Sequence, residues 1–300
     1  VHIRMNKIIT TTIALAVAST ASFANGGDWL ELDQDIASLS STVNTAGGVE
    51  VGGLLRNTYR DGGTTGGWAI EDAIVNMQGT LEEFSWRVSF DLASGGLVLE
   101  DAYVVWGCGE DLSVLWGQFN APMFRSGHID PEVMLFIDRS LIGANYAGFD
   151  NGVALMGDYN GLGYTIAALN GSDGASEDLT WFGHANYNLG NGACTCCDGA
   201  LHGGDEMDGT FGVSYMDHEN DGLDAVLGLE FTMTMGQFSL QAELADGNND
   251  DLAGASGLGS APNSIAFGYL FADNMEAAFR HEDRDNAADE ARDTFGLNYY

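Results

Sequence analysis

From residue 49 onward the chain alternates apolar and polar side chains with a period of two, the spacing that sends neighbouring residues to opposite faces of a strand. In "FSWRVSFDL", Phe84, Trp86, Val88, Phe90 and Leu92 share one face, while Ser85, Arg87, Ser89 and Asp91 share the other. "AVLGLEFTMTMG" sets Leu227, Leu229, Phe231, Met233 and Met235 against Gly228, Glu230, Thr232 and Thr234. "FSLQAEL" repeats this with Phe238, Leu240, Ala242 and Leu244 against Ser239, Gln241 and Glu243. Similar runs lie near 49–60, 69–81, 102–107, 112–121, 152–160, 163–170, 179–189, 210–218, 265–272, 275–282 and 294–300. Together they predict about 14 strands of roughly 8 to 12 residues, the length that crosses a bilayer when tilted.

The connections alternate in length. "LEE", "GCGED", "YNGLG", "TMGQ" and "ADNM" are tight, whereas 60–67, 122–150, 171–178, 217–223, 245–264 and 283–292 are longer and rich in Gly, Asp, Asn and Ser. Short turns at one end and long loops at the other predict an all-β, antiparallel transmembrane β-barrel with its short turns in the periplasm of a Gram-negative bacterium. Residues 190–209 are the exception, a long connection on the short-turn side. Aromatic residues near strand ends (Tyr59, Trp68, Trp106, Trp116, Trp181, Tyr187, Tyr269, Tyr299) suit interfacial girdles, and outer-membrane lipid would be their partner. An exported soluble β-rich binding or structural protein also alternates, but it needs a dry core, which Arg87, Asp91, Glu230 and Glu243 do not supply.

Two segments precede the strands. "MNKIITTTIALAVASTASFA" has a basic start at Lys7, an apolar stretch and small residues closing at Ala24, so residues 1–24 read as a cleaved secretory signal. In 25–48, Trp29, Leu32, Ile36, Leu39 and Val43 recur at steps of three and four, which predicts a short helix with a two-heptad seam. Asp28 and Glu31 offer a capping-box-like start, and Gly47 and Gly48 a stop. The seam suits a periplasmic coiled coil joining protomers. A helix lying across the barrel mouth and a plain linker remain open.

Charge then narrows the partners. The chain carries 10 basic residues against 44 acidic ones, a net charge of −34, and loss of the signal removes Arg4 and its one lysine. Such a field repels nucleic acid, which is excluded as a partner. The face that alternation turns inward offers Glu50, Asp91, Glu230, Glu243 and Glu276 against Arg56, Arg87 and Arg280. This balance predicts a channel that prefers cations.

"DAYVVWGCGEDLSVLWGQFNAPMFRS", "DRSLIGANYAGFDNGVALMGDYNGLGYTIAALNGS" and "TFGLNYY" together resemble the phosphate-selective porin O and P type family over most of 49–300. The resemblance implies a homotrimer of 16-stranded barrels that passes ions and small hydrophilic solutes. It also implies an inward constriction loop, here 122–150, beginning at Pro122. Met123, Phe124, Met134, Leu135, Phe136 and Ile137 would then pin the loop to the wall, and Arg125, His128, Asp130, Glu132, Asp138 and Arg139 would line the constriction. Arg125 could instead brace the loop against a wall acid such as Asp91. The sequence departs from the family in having Asn120 where a basic residue follows "GQF", and in stopping at "TFGLNYY", where a further hairpin would be expected, as in a C-terminally truncated chain.

Cys194, Cys196, Cys197 and His202 in "CTCCDGALH" make a weak zinc set, because C-x-C-C is not a usual ligand spacing, and a disulfide is the alternative. No cofactor is implied. No G-x-S-x-G, H-E-x-x-H or G-x-x-x-x-G-K motif occurs, so an enzyme is not expected, although His128 with Asp130, or His281 with Glu282, could be imagined at a barrel-edge catalytic site.

Overall fold

Strand alternation in the sequence becomes fourteen antiparallel strands among the described residues of the computed structural model. The model describes residues 49–61, 66–93, 95–109, 111–171, 179–192, 198–201, 203–218, 225–247, 258–286 and 290–300. The expected signal 1–24, the expected helix in 25–48, and Cys194, Cys196, Cys197 and His202 lie outside the described residues.

The chain divides into two compact units, one through Val104 and one from Val105. The first contains β1 (Glu50–Asp61), β2 (Gly66–Leu81), β3 (Phe84–Asp91) and most of β4 (Val98–Gly107). The second contains β5 (Leu112–Asn120), β6 (Phe149–Tyr159), β7 (Leu162–Leu169), β8 (Thr180–Leu189), β9 (Asp208–His218), β10 (Val226–Met235), β11 (Phe238–Asp246), β12 (Asn263–Ala272), β13 (Met275–Asp283) and β14 (Ala291–Tyr299). Consecutive strands pair throughout β5 to β14, as hairpin-sized connections favour. The β6–β7 turn shows the local chemistry. Asn160 and Gly161 both have positive φ (52° and 79°), as a two-residue turn matching strand twist requires.

The two faces of the strands are opposite in character, and the apolar one is bare. On β10 the covered residues are Val226, Gly228, Glu230, Thr232 and Thr234, while Leu227, Leu229 and Met235 are exposed. β12 covers Ser264, Ala266 and Gly268 and exposes Ile265, Phe267 and Tyr269. On β14, Phe295, Leu297 and Tyr299 stand 79%, 67% and 76% exposed. The first unit behaves likewise: Leu55, Trp68 and Ile70 are exposed, whereas Thr58, Ser89 and Asp101 are buried. A water-soluble β-protein puts its large apolar side chains inside, because burying them is the main favourable contribution to its folding. Among the described residues no helix is long and apolar enough to cross a membrane, a result that does not bear on spanning strands.

Candidate functional site

The connection between β5 and β6 turns back into the second unit and packs on the covered face of its strands. It carries two short helices, α1 (Arg125–His128) and α2 (Leu141–Tyr146), with a 3₁₀ turn at Pro131–Val133 between them. Asn120 closes its base, accepting from the Gly148 N–H at 2.9 Å and donating its amide to the Gly127 carbonyl at 2.6 Å. The last ladder bond is Ala121 N–H to Gly148 O at 2.9 Å, and Pro122, which has no N–H, follows it.

Apolar anchors fix the segment. Met123, Phe124, Leu135 and Ile142 are almost fully buried. The Phe124 ring lies against the backbone of Gly228 on β10, where an added Cβ would meet it at 2.7 Å, and its centroid is 5.4 Å from that of Tyr146. The Arg280 guanidinium stands 4.6 Å over the Phe136 ring. Ile137, expected among the anchors, is instead 61% exposed.

Polar anchors come from the wall acids. A helix start leaves backbone N–H groups without partners, and the Phe124 cap of α1 supplies no side-chain acceptor. The Arg125 N–H donates to Glu230 Oε2 at 2.7 Å, and the Ser126 N–H donates to Glu243 Oε1 at 3.0 Å. The Ser126 and Ser140 hydroxyls reach Glu243 Oε2 at 2.7 and 3.0 Å. At α2, Ser140 Oγ accepts from the Gly143 N–H, and the Leu141 N–H donates to Glu282 Oε1 at 2.6 Å. Glu282 is fully buried and is held by Arg280 at 3.1 Å and Arg292 at 2.5 Å. His184 Nε2 lies 3.0 Å from the other oxygen of Glu230. Carboxylates serve here because a charged acceptor makes a stronger bond to N–H than a neutral one does.

These contacts revise the expected water-facing wall. Glu230, Glu276 and Arg280 are buried, and Glu243 is bonded to the segment. Glu276 accepts from the Ala200 N–H at 2.8 Å and the Tyr300 hydroxyl at 2.8 Å. In the first unit Arg56 pairs with Asp72, Arg87 pairs with Asp101 at 2.9 Å, and Asp91 accepts from the Ala73 and Ala93 N–H groups. Glu50 is exposed and accepts from Gln78 at 2.9 Å.

The expected constriction residues divide into two sets. His128, Asp130 and Glu132 are exposed. Arg125, Asp138 and Arg139 are engaged by protein: Arg125 with Asp198 at 2.7 Å, Arg139 with the Ser126 carbonyl at 2.7 Å, and the Asp138 carbonyl with Arg280 at 2.9 Å. The acid offered for Arg125 from sequence, Asp91, is therefore replaced by Asp198. Although water reaches His128, crowding by protein removes enough hydration to push its imidazole down to about 4, so it is neutral at pH 7. Between the segment and β11 to β13 a cavity of about 20 Å³ remains, lined by Ser126, Asp138, Arg139, Gln241, Glu243 and Arg280 among others. That volume suits a water molecule rather than an organic ligand.

The imagined catalytic pair of His281 and Glu282 does not form, since adjacent strand residues point to opposite faces; His281 meets Asp293 at 2.7 Å instead. Among the described residues no group of three or more His, Cys, Asp or Glu is placed to hold a metal. Asp198 and Glu282 are the residues that sequence reasoning missed as anchors. Glu282 shares the period-two face of Glu276 and Arg280, so alternation could have found it. The only signal for Asp198 was the anomalous length of its connection.

No known family profile matches the sequence, and no curated protein matches it. Solved structures similar to the chain include a mutant of the Rh. blastica porin, with 14% identity, covering 84% of this chain and 99% of that one at a TM-score of 0.43. A loop-deletion form of OmpT, an outer membrane protein of Vibrio cholerae, shows 12% identity over 84% and 99% of the chains at a TM-score of 0.39. Salmonella typhi OmpF in complex with daunomycin shows 13% identity over 84% and 96% at 0.39.

Proposed function

We propose that the protein is a channel of the bacterial outer membrane that passes ions and small hydrophilic solutes and does no covalent chemistry. One observation carries the reading: large apolar side chains cover the exposed face of the strands, while Ser, Thr, Glu and Arg occupy the covered face. Only a surrounding hydrocarbon phase makes that arrangement favourable. The inward segment supplies a constriction. Its exposed carboxylates Asp130 and Glu132, together with the overall charge of −34, support a preference for cations. The scarcity of basic residues argues against phosphate selectivity, so the resemblance to phosphate-selective porins extends to architecture rather than solute. Export by residues 1–24 and assembly as a homotrimer, aided by the seam in 25–48, belong to the same proposal.

The test is reconstitution into planar bilayers, combined with Leu297→Arg. Leu297 is 67% exposed, so in a soluble protein the change is nearly neutral. On a lipid-facing strand it costs about 2–4 kcal/mol near the midplane and lowers the folded fraction in vesicles. Wild-type protein that folds without detergent, tolerates the change and adds no conductance removes the proposal.

A further inference from the structure

The connection between β8 and β9 leaves the strands at the end opposite to the β5–β6 connection, yet the two meet. Leu189 pairs with Gly209 at the base of the β8–β9 hairpin, whereas the inward segment hangs from Asn120 and Phe149. From the first of these ends, residues 198–201 reach the inward segment and the strands around it. Asp198 Oδ1 accepts from Arg125 at 2.7 Å and from Gln241 of β11 at 2.8 Å. Its Oδ2 faces the Leu135 N–H at 3.4 Å, and its own N–H donates to the Val133 carbonyl at 2.9 Å. Two residues later the Ala200 N–H donates to the buried Glu276. Ala200 is 1% exposed. Gly199, at φ +84°, leaves no room for a side chain, because an added Cβ would lie 2.6 Å from Glu276 Oε2.

We infer that Asp198 is a positioning residue for the constriction, and that residues 198–201 latch the inward segment from the opposite end. The inference rests on the channel reading for its functional meaning. Its structural content is separate: Asp198 joins α1, the 3₁₀ turn, the approach to Leu135, and β11. With both Arg125 and Asp198 side chains about nine-tenths buried, the pair is shielded from salt, and removing Asp198 takes away a direct buried counter-charge of Arg125. The segment then gains freedom at Arg125 and around Val133 to Leu135, while Glu230 and Glu243 still hold its helix start.

The experiment compares wild type, Asp198→Ala, Arg125→Ala and the double variant, each checked for folding by heat-dependent gel mobility. Hydrogen exchange in detergent is expected to quicken about tenfold or more in peptides covering 125–141, with β10 to β13 unchanged, and the double variant is expected to match the single ones rather than add to them. In bilayers the three variants are expected to show larger open-channel conductance and more current noise, with Asp198→Asn intermediate because its amide oxygen still accepts hydrogen bonds. Wild-type exchange in 125–141 in all variants overturns the latch. A wild-type protein that never conducts defeats the channel reading, and the exchange data still decide the latch. Altered exchange with unaltered conductance overturns the positioning role.

Discussion

The backbone N–H of Arg125 donates to the carboxylate of Glu230 at 2.7 Å, across 105 residues of sequence, so an acid of the strand wall caps the start of a helix of the inward segment. Glu243 does the same for Ser126. Replacing Glu243 with alanine strands the Ser126 N–H and removes the shared acceptor of two hydroxyls, at a cost of about 1–3 kcal/mol for a buried donor left unsatisfied. Limited proteolysis should cut faster within 125–141 while the β-signal in circular dichroism persists. Unchanged cleavage would show that the apolar anchors suffice.

The strands were legible because alternation is local: each of the fourteen runs reports its own two faces, and the bare apolar face was already written in Leu227, Leu229 and Met235. The inward turn at 122–150 and its apolar anchors Met123, Phe124 and Leu135 came from a resemblance. What stayed hidden was the use of the wall charges. Alternation tells which face Glu230 occupies but not that a backbone N–H 105 residues earlier will meet it. Counting acids on that face therefore overstated how many of them are open to solvent. Asp198 was harder still, because contacts between two irregular connections leave no periodicity in either.

Phe124 and Gly228 form a lock of ring on backbone. A Cβ at residue 228 would sit 2.7 Å from the ring, so Gly228→Ala should displace Phe124 and destabilise by about 1–3 kcal/mol, as overpacking does. Phe124→Ala should cost about 3–5 kcal/mol through the cavity left behind. Unfolding in urea, followed by gel mobility, should give a double variant whose loss is smaller than the sum, since losing the ring relieves the methyl's clash with it and leaves only the tighter one with Ser214 Oγ.

His128 titrates from about 4 in the folded protein against an ordinary value near 6.5, so the unfolded chain takes up a proton first as pH falls. Its contribution to stability is therefore constant above the ordinary value, declines as pH drops from about 6.5 towards 4, and levels off below. An imidazole NMR titration, assigned with His128→Gln, should place the midpoint below pH 5. A midpoint near 6.5 would mean that the water touching this ring is bulk water.

Selectivity should follow the exposed carboxylates of the segment rather than the engaged acids of the wall. Asp130 and Glu132 are exposed, whereas Glu230 and Glu282 are buried beneath the segment. An ion passing the segment feels most strongly the charges it can approach without intervening protein, because exposed charges act through water over about a Debye length, roughly 8 Å at physiological salt. Asp130→Asn with Glu132→Gln should therefore move the reversal potential in a salt gradient towards the anion side and lower conductance most at low salt, where screening is weakest. A reversal potential that the double variant leaves in place, or strong anion preference in the unmodified protein, would show that ions are selected elsewhere along the chain.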